Sequence, residues 1–190
     1  MACHRGGQGM ALVLVRTKDS VSVGVLDRTV CVKVDGRGTF QNSIGLKSVI
    51  KQMIQRGYRD FVIDLKDCDL MDSTFMGTLA GAALRLRELG QGQLSVSNAN
   101  TRSHDLLVGL GLDQLFHVST KSVGTLPSAT APVLMPEDGS DDASKRAVLE
   151  AHEALAAADA SNAVKFQDVI DFLRQELGIP SDKEDGSSES

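Results

Sequence analysis

The chain predicts an α/β domain built on a mixed, largely parallel sheet with crossover helices, followed by a C-terminal α-helical hairpin. Three observations predict it. Two alternating apolar runs, at Val21–Val25 and Val30–Val34, flank Asp27-Arg28 near the start. Beyond them, segments of helical period alternate with short apolar runs. After a stretch rich in proline and acid, an alanine-rich segment and an apolar-striped one close the chain.

Each element follows in order. Residues 1–18 contain Gly6-Gly7-Gln8-Gly9, lack either period and read as a loose leader. Val21, Val23 and Val25, then Val30, Val32 and Val34, alternate with other residues and read as a β-hairpin. Leu46, Val49, Ile50, Met53 and Ile54 recur at helical spacing, with Asn42 or Ser43 as the expected cap and Gly57 as the stop. Phe61–Leu65 is nearly continuous apolar sequence, the mark of a strand covered on both faces.

A second helix, expected to start at Asp72 or Ser73, carries Phe75, Leu79, Ala82, Leu86 and Leu89 before Gly90. Leu94 and Val96 mark a short strand. Asn100 or Thr101 caps a helix with Leu106, Leu107 and Leu110, Gly111 ends it, and Leu115–Val118 is the last strand. The order ββαβαβαβ implies right-handed crossovers and an antiparallel edge made by the first hairpin. A domain over 19–120 results, with 121–143 as a linker holding Pro127, Pro132 and Pro136.

The hairpin is expected over 144–178, its first helix spanning Ala143–Ala158. After Ser161 the second carries Phe166, Val169, Ile170, Leu173 and Leu177 on one face. So short a hairpin must bury that stripe against the main domain or another subunit, so a homodimer through it is one expectation. Residues 179–190 are serine and acid and read as a disordered tail.

Composition excludes several classes. The net charge of −5 conceals a mildly basic stretch up to residue 136 and an acidic remainder, and one Tyr with no Trp offers no stacking platform, so no nucleic-acid partner is expected. The run Met10–Val15 is too short for a membrane span or a signal peptide. A cytoplasmic protein with no direct membrane insertion is expected. Cys3, Cys31 and Cys68 are odd in number and widely spaced, and His104, His117 and His152 are scattered. Neither a disulfide framework, a metal site nor a cofactor is expected. No Gly-x-Ser-x-Gly elbow, phosphate loop or His-Asp-Ser set is present, so the chain is not expected to be an enzyme.

In an open α/β sheet, functional groups collect where loops leave the C-terminal ends of parallel strands. Residues 66–77 are expected there, with the Ser73 hydroxyl presented to solvent at a helix start. Asp and Ser are also preferred N-caps, and spacing alone reads Asp72-Ser73 as a cap.

The segment Phe61-Val-Ile-Asp-Leu-Lys-Asp-Cys-Asp-Leu-Met-Asp-Ser-Thr-Phe-Met-Gly77 resembles the strand and switch loop of STAS domains of the anti-sigma factor antagonist type. The similarity extends over residues 19–120, with Gly36 in the turn after the second strand. It implies a STAS-like sheet and a bacterial regulator of transcription that works by partner switching. Its partners would be an anti-sigma factor that is also a serine kinase, bound while Ser73 is unphosphorylated and released on phosphorylation, and a phosphatase that resets Ser73. Thr74 is the second-choice acceptor. Asp67, Asp69, Asp72, Phe75 and Met76 would form the loop and partner interface, with the acids crowding the phosphoryl group. Phe75 stands where the family usually has Gly, and Thr39 where it often has an acid. The other reading is a STAS regulatory or ligand-binding module of a transport or signalling complex, which needs no phosphorylated serine.

Overall fold

The computed structural model describes residues 19–121, 131–133 and 140–180. β1 (Ser20–Leu26) and β2 (Thr29–Gly38) form the expected antiparallel hairpin, with Val25 opposite Val30 and Leu26 opposite Thr29. Two residues close the turn because Asp27 takes φ 54°, a left-handed conformation that Asp tolerates better than most residues.

α1 (Phe40–Gln55) turns Leu46, Ile50 and Met53 into the core and ends before Gly57 at φ 93°. Its cap is Thr39, one turn ahead of the expected Asn42 or Ser43. Asn42 sits at the third helical position, where its Oδ1 accepts the Thr39 N–H at 2.8 Å as a capping-box side chain does. The Ser43 hydroxyl donates to the Phe40 carbonyl at 2.7 Å instead.

β3 (Asp60–Met71) runs parallel between β2 and β4 (Gln93–Ser97). It is much longer than the Phe61–Leu65 run. β2 extends far enough to offer partners beyond it, so after one register shift Asp67 and Cys68 pair with Asp35 and Gly36, and after a second Leu70 and Met71 pair with Arg37 and Gly38. The first half of the expected loop at 66–77 is therefore strand.

α2 (Ser73–Glu88) follows after one residue. α3 (Thr101–Gly109), capped by Asn100 Oδ1 on the Ser103 N–H at 2.8 Å, leads to a 3-10 turn at Leu112–Gln114 and to β5 (His117–Val118). The last strand is shorter than Leu115–Val118 because the N–H groups of Leu115 and Phe116 are bonded back to the Leu112 carbonyl. β6 (Ala131–Pro132) pairs antiparallel with the outer edge of β1, inside the stretch read as linker. A proline fits an edge strand, where no partner lies beyond it. The sheet order is β5-β4-β3-β2-β1-β6. The leader 1–18, most of the linker and the tail beyond 180 lie outside the described residues.

α4 (Asp141–Ala158) starts ahead of Ala143 because Ser140 caps it, accepting the Ala143 N–H at 3.2 Å. α5 (Ala160–Glu176) follows after Asp159 alone, which accepts the Ser161 N–H at 2.8 Å, so Ser161 is inside the second helix instead of before it. The hairpin folds back on its own domain: α4 crosses α2 and α5 packs on α4. Leu155 is fully buried in the main core, with Phe166 packed against it. Asn162, fully buried, anchors the bend by donating to the carbonyls of Leu110 at 2.8 Å and Leu155 at 3.0 Å. Of the α5 stripe, Leu173 is buried, Phe166, Ile170 and Leu177 are half-buried, and Val169 stays exposed.

Candidate functional site

The corner between β3 and α2 is organised by Asp72. Its N–H donates to the Gly38 carbonyl at 2.9 Å, prolonging the β2 pairing by one residue. Its extended backbone then lets the carboxylate turn onto two helix starts at once. Oδ1 accepts the Phe75 N–H at 2.8 Å in α2, and Oδ2 accepts the Phe40 N–H at 2.7 Å in α1. One charge thus answers the positive ends of two helices. The carboxylate is spent on the fold, bracing α1 against α2.

Ser73 is the first residue of α2 and is half-buried. Its hydroxyl, expected to face solvent, has a partner within the protein. Ser73 Oγ lies 3.1 Å from Nε2 of His152, a buried residue of α4. His152 Nδ1 lies 2.8 Å from the Val148 carbonyl, which only accepts, so Nδ1 donates. In the neutral imidazole Nε2 is then the acceptor and the serine O–H the donor. The His152 ring is also held by Phe166 of α5, edge to face at a centroid distance of 5.1 Å.

The seat of α4 on α2 depends on residues without side chains. A Cβ on Gly77 would lie 2.6 Å from the Ala151 carbonyl carbon and closer still to its oxygen, so the two backbones approach as only glycine permits. One turn on, Gly81 faces Ala154 at an ordinary 3.6 Å. Lys47 of α1 pairs with Glu150 of α4, a second tie between hairpin and domain.

The remaining sequence-predicted residues disperse. Thr74 is only 6% exposed, which withdraws the second-choice acceptor from solvent. Phe75 is fully buried and packs on Gly38, where a Cβ would meet its ring at 2.8 Å. It belongs to the core and not to a docking surface. Met76 is buried as well. Asp67 and Asp69 are exposed on β3, at about 3.3 Å per residue well removed from Ser73. Asp67 is paired with Lys33 at 2.9 Å, and Asp35 is 2.6 Å from the same ammonium. Those two hydrogen bonds, Asp35 first, raise the Lys33 pKa. Only Asp72 of the three acids stands beside Ser73, and the expected crowding is correspondingly weaker.

The sequence reading missed His152. Its signal is positional: it lies between Leu149 and Leu155 at helical spacing, a polar residue inside an apolar stripe. Among the described residues no group of His, Cys, Asp and Glu side chains could hold a metal ion, and no helix is long and apolar enough to cross a membrane. Cys31 and Cys68 are free and buried, and burial pushes both thiols above their ordinary value.

A family model described as the STAS domain matches residues 20–124. No curated protein matches the sequence. Among solved structures, a Thermotoga maritima protein, TM1081, assigned as an anti-sigma factor antagonist, is 17% identical with a TM-score of 0.49, over 53% of this chain and 86% of that one. The Bacillus anti-sigma factor antagonist SpoIIAA, unphosphorylated, is 16% identical with a TM-score of 0.46, over 55% of this chain and 90% of its own. A sulfate transporter family protein from Wolinella succinogenes is 16% identical with a TM-score of 0.42, over 52% of this chain and 81% of that one.

Proposed function

Since the chain belongs to the STAS domain family, we propose that it is a cytoplasmic partner-switching regulator, an anti-sigma factor antagonist whose phosphoacceptor is Ser73 and whose C-terminal hairpin covers that serine. The observation that carries this reading is Ser73 on the first turn of α2, directly after its Asp72 cap, with its hydroxyl held 3.1 Å from His152.

The unmodified serine has two competing occupants. The hairpin takes its hydroxyl through His152, and an anti-sigma factor with serine kinase activity takes the same helix start once α4 lifts. A partner that binds only the uncovered form sees its affinity reduced by the uncovered fraction, so the hairpin sets the threshold for engagement.

Phosphoryl transfer breaks the bond between the γ-phosphorus of ATP and the β–γ bridging oxygen, releases ADP, and replaces the serine O–H with an O–P bond, the proton passing to solvent. Two consequences follow. The ester oxygen has no proton to donate to Nε2, so the serine O–H hydrogen bond to His152 is lost. About two negative charges are added next to Asp72, at a helix start that tolerates them but against any acidic partner surface. At an effective dielectric near 20, each charge pair at about 4 Å is worth roughly 4 kcal/mol before screening, and about 1.4 kcal/mol already changes affinity tenfold. The partner is released, and a phosphatase that removes the group resets the switch.

The test uses the full chain and an anti-sigma-type kinase from the same cell. Wild type and Ser73→Ala bind it, whereas Ser73→Asp loses at least tenfold in affinity. Equal affinity of Ser73→Asp and wild type rules the switch out.

A further inference from the structure

A cleft of about 420 Å³ opens between α1, α2 and α4, clear of the Ser73 corner. Its floor is apolar, built from Ile50, Ile54 and Ala82. Three cations line it, Lys47, Lys51 and Arg85, against the single carboxylate of Glu150. Glu150 is committed to Lys47, and Arg85 is 2.9 Å from Glu88. Lys51 has no ion-pair partner among the described residues. Burial, and then the nearby charge of Lys51, push the Lys47 ammonium below its ordinary value even so. The cleft therefore combines an apolar interior with positive charge in excess, at a volume within the range of roughly 300–1,000 Å³ that small-molecule sites occupy.

We propose that this cleft binds a small anionic amphiphile, an apolar body carrying one carboxylate or phosphate, with the body on Ile50, Ile54 and Ala82 and the anion on Lys51 and Arg85. One wall, formed by Ala147, Glu150 and Ala151, belongs to α4, so the site is complete only while the hairpin is seated. A ligand that binds the closed form alone multiplies the closed-to-open ratio by one plus its concentration over its dissociation constant. Such a compound would hold His152 on Ser73 and delay the switch, a consequence that rests on the proposed function, whereas binding and closure do not.

Isothermal titration of the full chain with octanoate, octyl phosphate and neutral octanol tests the site, with amide hydrogen exchange of α4 as the second readout. At least one anion binds saturably and more tightly than octanol, and the comparison of octanoate with octyl phosphate identifies the head group. Lys51→Glu with Arg85→Glu, both exposed positions, weakens anion binding at least tenfold and leaves octanol unchanged. At about one hundred times the dissociation constant, opening-dependent exchange in α4 slows by about 100-fold. Binding of octanol as tight as that of the anions, no saturable binding, or indifference to the charge reversals overturns the site. Saturable binding with unaltered exchange in α4 overturns the locking of the hairpin. None of these readouts depends on phosphorylation, so a chain never modified at Ser73 still passes or fails them.

Discussion

Replacing Gly77 with Ala adds one methyl group at the point where α4 crosses α2. The new Cβ would sit 2.6 Å from the Ala151 carbonyl carbon and 2.9 Å from its Cα, and these are backbone atoms that no rotamer change can move aside. Carbon pairs rest at about 3.5–4.0 Å, so α4 must retreat by about 1 Å. Overpacking of this kind costs about 1–3 kcal/mol, which lowers the closed fraction of the hairpin by roughly 5- to 150-fold in its equilibrium constant. Within α2 the same change is favourable, since Ala exceeds Gly by about 1 kcal/mol in a helix interior. The substitution therefore loosens the hairpin without weakening the domain beneath it. Gly81→Ala is the matched control: its Cβ meets Ala154 at an ordinary 3.6 Å and leaves the hairpin in place. Hydrogen exchange on the full chain reads the result, with 141–176 exchanging faster in Gly77→Ala, the sheet unchanged, and Ser73 phosphorylated faster by the kinase. Identical exchange of the hairpin in wild type, Gly77→Ala and Gly81→Ala would refute the idea that this backbone contact seats the cover.

Other expectations follow from single residues. Asp72→Ala removes the acceptor for both Phe75 and Phe40, so the domain loses about 2–4 kcal/mol in urea unfolding; a loss below about 0.5 kcal/mol would show that α1 and α2 are not braced there. Asn162→Leu leaves the carbonyls of Leu110 and Leu155 without its amide donor, and hairpin protection drops by about 1–3 kcal/mol in amide exchange. The Ser161 hydroxyl, followed by the Ser161 N–H, holds the Asp159 carboxyl below its ordinary value. A carboxylate depressed in the folded state contributes stability above its unfolded pKa, near 4, and loses it as pH falls through the folded value. The first turn of α5 thus loosens in acid, visible as movement of the Ser161 amide resonance below about pH 4.

The β1–β2 hairpin and the alternation of strands and helices were legible because apolar period alone decides them: Val30, Val32 and Phe61 have few other places to go. The site was legible only in part. Asp72 was readable as a cap from residue type, but its second bond, to Phe40, joins residues 32 apart in sequence and leaves no local mark. Phe75 looked available for docking because the family usually has a small residue there. It is accommodated in the core because Gly38 vacates the space opposite, a pairing across two elements that periodicity does not report. The long β3 was hidden for a related reason: its second half, Lys66–Met71, alternates charge with Cys68 and Leu70 and gains its strand character from β2 alongside. The cover over Ser73 was the least visible, since an alanine-rich helix states no destination. The spacing of Gly77 and Gly81, one turn apart on α2, is the sequence feature that marks where another helix can come close.

The measurement that bears most directly on the account is phosphosite mapping by mass spectrometry of the full chain purified from its native cell, under growth and stress conditions, beside Ser73→Ala. The account predicts phosphate on Ser73 in a condition-dependent fraction, none on the buried Thr74, and none on the Ser73→Ala protein. Ser73 unmodified under every condition, or phosphate placed on a different residue and retained in Ser73→Ala, would contradict it.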